Sequence, residues 1–240
     1  MAENSPPPGY SVEFRGDIAI LWMNNGENRF NLDTLAELNR ALDKIESSSS
    51  TRAMITTGVA KFYSNGFDLA RLQKSPPEYW KEFIGEIYRI WIRLLTFPVP
   101  TVAALNGHCY AGGALFALCH DYRVMRTRRG WWCFPEIQLN TPFLPPMLSL
   151  LRARLPSSVL RDMLVFGKQY IATELLQHGV IDGATEQSGL LDMAIGIAKD
   201  CLGKQGYDCA MLSTMKRDVN VAVIDELKAS EQYKSIKSKL

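Results

Sequence analysis

The 240 residues predict an α/β domain in front and an all-helical region behind it. Two patterns and a size argument lead there. Up to Met125, short apolar strands alternate with amphipathic helical stripes, whereas from Leu144 onward strand signals fade and helical spacing dominates. The length suits one well-buried core, no composition shift marks a second, and no repeat recurs at a fixed period.

Ser11 to Phe14 alternates like a half-buried strand, Arg15-Gly16-Asp17 supplies a turn, and Ile18 to Met23 returns as an apolar strand, which makes a hairpin. Asn31 stands before Leu32, Leu35, Leu38, Leu42 and Ile45, so it is the expected cap of a helix that ends in Ser47 to Ser50. Ala53 to Thr57 is a strand leading to the turn Ser64-Asn65-Gly66-Phe67-Asp68. Pro76-Pro77 opens a helix with Phe83, Ile87, Ile90, Trp91 and Leu94 on one face, and Pro98 and Pro100 stop it.

Thr101 to Leu105 reads as a buried strand, Gly112 to Cys119 as a helix of small residues, and Tyr122 to Met125 as another strand. Helical stripes follow at Met147 to Leu155, Ser157 to Phe166, Ala172 to His178, Leu190 to Leu202 and Tyr207 to Leu227. The expected division is a disordered N-terminus over 1–9, the α/β core over 10–155, the helical region over 156–235 and a tail over 236–240.

Lys+Arg 27 against Asp+Glu 25 leaves a net charge of +2, so the whole-chain field does not recruit nucleic acid or an acidic membrane. An anionic ligand must be held by local groups. Cys109, Cys119, Cys133, Cys201 and Cys209 are scattered without metal-ligand spacing, and are expected to be reduced thiols, mostly buried. Nothing resembles a secretory signal or a membrane span, so a soluble protein is expected. Ser238-Lys239-Leu240 matches a peroxisomal address read by an import receptor.

The chemistry gathers at two glycine turns. At Tyr110-Ala111-Gly112-Gly113-Ala114-Leu115, the first amides of the coming helix lack intrahelical partners, and the glycines let a ligand approach the backbone. Close packing of helix on sheet would explain the glycine pair equally well. The turn Ser64 to Asp68 changes the balance, because it can leave the Phe67 amide pointing outward. Two donors converging on one carbonyl oxygen form an oxyanion hole, in which a single donor is worth about 2.7–4 kcal/mol in the transition state.

Taken together, Asn24 to Asn31, Phe62 to Leu69, Pro98 to Gly107, Ala111-Gly112-Gly113 and Cys119-His120-Asp121-Tyr122 resemble the crotonase (enoyl-CoA hydratase/isomerase) superfamily. The resemblance runs from the first hairpin to Leu155. It implies a crotonase-like spiral of ββα units with a C-terminal helical trimerisation region, in a homotrimer or hexamer. It also implies an acyl-CoA thioester substrate, an oxyanion hole from the Phe67 and Gly112 amides, contacts from Ser64, Asn65, Gly66 and Leu115, and Arg29 along the CoA phosphates. No cofactor is implied beyond the CoA of the substrate.

Hydratases of this superfamily use two glutamates, and the first of those positions is Leu115 here. The second is similar to Glu136, within Phe134-Pro135-Glu136-Ile137, and the Δ3,Δ2-enoyl-CoA isomerases work with a single glutamate. The implied reaction moves a double bond from C3 to C2 of an unsaturated fatty acyl-CoA, auxiliary to peroxisomal β-oxidation. Trp131, Trp132, Phe134, Phe143 and Leu144 are expected to surround Glu136 with apolar surface, which raises a carboxyl pKa. The alternatives are another enolate reaction of an acyl-CoA, decarboxylation or hydrolysis, and an inactive acyl-CoA-binding homologue.

Other polar residues have ordinary readings. His108 and His120 lack a nucleophile to serve and are expected to satisfy buried polar groups. Asp68 and Asp121 read as turn or helix caps, and Lys216-Arg217 as part of a solvated face.

Overall fold

The computed structural model describes residues 6–230. Ser238-Lys239-Leu240 lies outside them. Strands β1 (Gly9–Arg15) and β2 (Ile18–Asn24) form the expected antiparallel hairpin. Residues 6–9, expected to be disordered, are held: Asn24 Nδ2 donates to the Pro6 carbonyl at 2.7 Å, and the strand already begins at Gly9. Helix α1 (Leu32–Glu46) starts at Asn31, whose side chain accepts from the Asp33 and Thr34 amides while Thr34 Oγ1 accepts from the Asn31 amide.

Next come β3 (Ala53–Gly58), β4 (Phe62–Ser64), α2 (Leu69–Lys74) and α3 (Pro77–Leu95), then β5 (Thr101–Leu105), β6 (His108–Tyr110) and α4 (Gly112–Leu118). β7 (Tyr122–Arg126), β8 (Trp132–Cys133) and a 3-10 turn at Pro135–Ile137 make the third unit. Each unit gives one strand to a six-stranded sheet of order β1-β2-β3-β5-β7-β9 and one to a three-stranded parallel sheet of order β4-β6-β8. This is a spiral of ββα units. Its last long-sheet strand, β9 (Gly183–Thr185), follows α5 (Pro145–Arg154), α6 (Ser157–Leu164) and α7 (Ala172–Gln177).

The inner strands β2, β3 and β5 are covered on both faces, which is why they are buried along almost their whole length. Ala19, Leu21, Met54, Ala103, Leu105 and Met125 face the main core, where α1, α3 and α4 pack. Ile18, Ile20, Ile55, Val102, Ala104 and Val124 face α8 (Gln187–Leu202) through Leu190, Ala194 and Ala198. The two-residue period of a strand sorts one apolar run into two cores.

Two further departures from the sequence expectation lie in the C-terminal half. The stripe Tyr207 to Leu227 is not one helix but α9 (Cys209–Val219) and α10 (Val221–Ser230), broken at Asn220. There the Asn220 amide group donates to the carbonyls of Leu95 and Lys216, and its oxygen accepts from Arg154, so tertiary contacts fix the break. β9 also lies inside the region expected to be helical. Among the described residues no helix is long and apolar enough to cross a membrane.

Candidate active site

The first glycine turn is pinned from both sides. Phe30 donates to the Gly66 carbonyl at 2.8 Å and accepts from the Asp68 amide at 2.9 Å, a parallel bridge that engages the groups flanking Phe67. The N–H of Phe67 therefore points the other way, and among the described residues it has no protein acceptor. Gly66 makes this possible with a φ of +77°, which other residues adopt only with strain. Ser64 Oγ accepts from the Gly66 amide and donates to the Asn28 carbonyl, so its hydroxyl is used inside the turn.

Asn28, read from the sequence only as part of the loop Asn24 to Asn31, organises the first turn. It is buried with a φ of +51°, and its Nδ2 donates to the carbonyls of Met23, Phe62 and Tyr63, tying β2 to β4. Asparagine tolerates that backbone region better than most residues, which was the available signal. Beside it, Arg29 donates to Glu27 at 2.6 Å and to the Phe67 carbonyl at 3.3 Å, and Asn65 Nδ2 donates to Glu27 at 2.9 Å. Arg29 is thus a half-exposed cation stitched to the first turn.

The second turn stores strain. Ala111 has φ 49° and ψ −122°, a conformation that for a residue with a Cβ costs of order 1–3 kcal/mol. Its amide donates to the Cys133 carbonyl at 3.0 Å and its carbonyl accepts from Ala114 and Leu115, starting α4. The following amide, Gly112 N–H, has no protein acceptor among the described residues. A Cβ on Gly66 would fall 2.9 Å from the Gly112 nitrogen, so the two turns are in contact. Leu115 is buried in the main core one helical turn further on.

The bond from Ala111 to Cys133 also links the second turn to the segment carrying Glu136, three residues later. Glu136 Oε2 is buried without a hydrogen-bond partner. Burial penalises its charged form and lifts its pKa from 4.5 to about 7, and among the described residues no other acid contributes to that shift. Phe134, in contact with Phe143 at 5.7 Å between ring centroids, and Trp132 are buried close by in sequence. Trp131 belongs elsewhere: it is 46 % exposed and its ring contacts His108 of β6.

Both histidines have structural partners. His108 Nδ1 accepts from the Trp131 amide and bonds the Tyr110 hydroxyl. His120 Nδ1 donates to the Phe116 carbonyl, so Nε2 accepts from Thr56, which in turn accepts from the Tyr63 hydroxyl. Asp68 caps α2 through the Arg71 amide, as expected. Lys216 overturns its expectation: it is buried, not on a solvated face, and donates to Asp121 and to the Val99 carbonyl.

The arrangement offers two unengaged amides at touching turns and a base poised near neutrality. It suits a carbonyl compound that gains negative charge on oxygen as it loses a proton from carbon.

The chain is similar to known proteins in sequence and in fold. A family profile described as enoyl-CoA hydratase/isomerase matches residues 13–237. The chain is 34% identical over 203 residues to enoyl-CoA delta isomerase 3 of Arabidopsis thaliana, covering 81% of this chain and 85% of that protein. It is likewise 34% identical over 186 residues to enoyl-CoA delta isomerase 2, peroxisomal, of the same plant, with 74% and 78% covered. Its structure is similar to that of human mitochondrial delta3-delta2-enoyl-CoA isomerase, with a TM-score of 0.84 at 25% identity over 92% of this chain and 86% of that one.

Proposed function

The chain belongs to the enoyl-CoA hydratase/isomerase family, and on that premise we propose that it is a Δ3,Δ2-enoyl-CoA isomerase with Glu136 as its single acid–base group. One observation carries the choice within the family: Glu136 Oε2 is buried without a hydrogen-bond partner, and the resemblance puts the buried Leu115 at the position of the hydratases' other glutamate.

A 3-enoyl thioester has C2 protons that are both allylic and α to the carbonyl. Glu136 removes one, and the electron pair spreads over C2, C4 and the thioester oxygen as a dienolate. The Phe67 and Gly112 amides hold the oxygen's charge. The carboxylic acid then returns its proton to C4, leaving the double bond between C2 and C3. The reaction is balanced with one carboxylate and no water.

Ser64, Asn65 and Gly66 serve this reading by shaping the first turn, and Leu115 by keeping its position apolar. Arg29 is assigned to the CoA phosphates as the partly exposed cation beside that turn. A peroxisomal setting belongs to the same proposal, supported by the names of two Arabidopsis relatives. So does a homotrimer or hexamer, supported by the exposed Phe166, Met211, Met215 and Val219 on and beside the C-terminal helices.

The test is incubation of the full chain with 3-hexenoyl-CoA, with product analysis and Glu136→Gln as control. Conversion to 2-hexenoyl-CoA that the substitution abolishes is the expected result. Release of free CoA, 3-hydroxyacyl-CoA as the main product from 2-enoyl-CoA, or saturable binding without turnover would each replace the assignment.

A further inference from the structure

We propose, on the premise that the protein is the isomerase described above, that the Phe67 side chain is a positioning wedge: its ring, seated on Gly112 and backed by Phe83 and Trp91 of α3, sets the spacing of the two oxyanion amides. The ring lies directly against the bare α-carbon of Gly112. A Cβ there would fall 2.4 Å from Cε1 and 2.6 Å from Cδ1 of Phe67. On its other sides the ring meets Phe83 edge-on at 4.9 Å and stacks with Trp91 at 6.5 Å between centroids, and both partners are fully buried.

This side chain joins the two donors mechanically. It is attached to the α-carbon that follows the first amide, and it presses on the α-carbon that follows the second. The first turn's backbone is already fixed by Phe30, so the ring contact is what transmits that position to Gly112. Interiors are close-packed and yield little, so helix α3 holds the ring in place although it supplies no group to the reaction. The strained backbone of Ala111 needs such support, because an unfavourable φ persists only where its surroundings over-determine it. Phe83 and Trp91 are positioning residues by this argument.

The experiment reads carbonyl polarisation and turnover separately. The infrared band of bound hexanoyl-CoA labelled with carbon-13 at C1 is recorded beside steady-state kinetics on 3-hexenoyl-CoA. Wild-type protein is expected to lower the carbonyl frequency of the bound thioester, and Glu136→Gln to keep that shift while losing turnover. Phe67→Leu is expected to lose at least about half of the shift and about tenfold in kcat, with KM within about threefold, since a misplaced donor acts on the transition state. A purely structural role would lower the melting temperature and leave the band of the bound ligand in place. Should Phe67→Leu not fold, Phe83→Leu is read in the same way, with about a threefold loss in kcat expected. A folded variant whose carbonyl band or kcat stays at the wild-type value overturns the wedge while leaving the isomerase assignment intact. Wild-type protein that does not turn over 3-hexenoyl-CoA overturns both.

Discussion

The Lys216 ammonium sits 2.5 Å from a carboxylate oxygen of Asp121, with only 10% of the lysine side chain exposed. The same Asp121 oxygen accepts from the backbone and hydroxyl of Thr101, and Lys216 also donates to the Val99 carbonyl. One buried ion pair thereby clamps α9 to the start of β5 and to the end of α4, the helix whose first residue is Gly112. Desolvation pulls the lysine pKa below its ordinary value, with Asp121 acting against that pull.

Lys216→Met should therefore destabilise the protein by roughly 3 kcal/mol, because it leaves a half-buried carboxylate without its counter-charge. Adding Asp121→Asn should recover part of the loss. Urea unfolding of the two single variants and the double variant measures the coupling, and additive losses would show that the pair does not act as a clamp.

Glu136 should make the protein less stable as it becomes active. Its folded pKa of about 7 exceeds the ordinary 4.5, so the native state holds a proton that the unfolded state releases. The stabilisation is complete below about pH 4.5 and is lost as pH rises through 7, a change of roughly 3 kcal/mol. Glu136→Gln should accordingly be the more stable form at pH 8, while kcat falls by about 10²–10⁴. For the wild type, kcat/KM should rise with pH to a plateau with a midpoint about 7.

His120 works in the opposite sense. Burial drives its pKa from 6.5 to about 3, so the unfolded chain takes up a proton that the native state refuses. Stability is complete above about 6.5 and falls as pH drops towards 3. Unfolding free energies across that range should show this slope, and His120→Leu should flatten it while lowering stability at pH 7, since Thr56 loses its acceptor.

Gly66→Ala should remove activity without touching Glu136. A Cβ there would lie 2.9 Å from the Gly112 nitrogen, on a backbone with positive φ. Loss of about 10²-fold or more in kcat is expected, with a stability loss of about 1–2 kcal/mol. Kinetics on 3-hexenoyl-CoA together with thermal unfolding separate the two effects, and near wild-type kcat would argue against this turn as part of an oxyanion hole.

Much of this design was legible in the chain. Asn31 before a leucine stripe, the proline pair before α3, the two-residue alternation of the hairpin and the glycine turns around Gly66 and Gly112 are local signals, because helix caps, strand periods and tight turns are decided within a few residues. The family resemblance rests on such local runs, and the profile match bears it out.

What only the tertiary structure decided are the relationships between distant segments. β4, β6 and β8 have three, three and two residues, too few to show a period, and they exist because they pair with one another. Lys216 reads as a surface charge until Asp121, 95 positions away, is folded against it. Trp131 and Trp132 are neighbours in sequence, yet the first is 46% exposed just before β8 and the second is buried in that strand, where it pairs with Cys109 of β6. Whether the Phe67 and Gly112 amides are left unengaged, and whether a lone carboxyl at 136 is dry enough to titrate near neutrality, depends on every group packed around them, which no stretch of sequence contains.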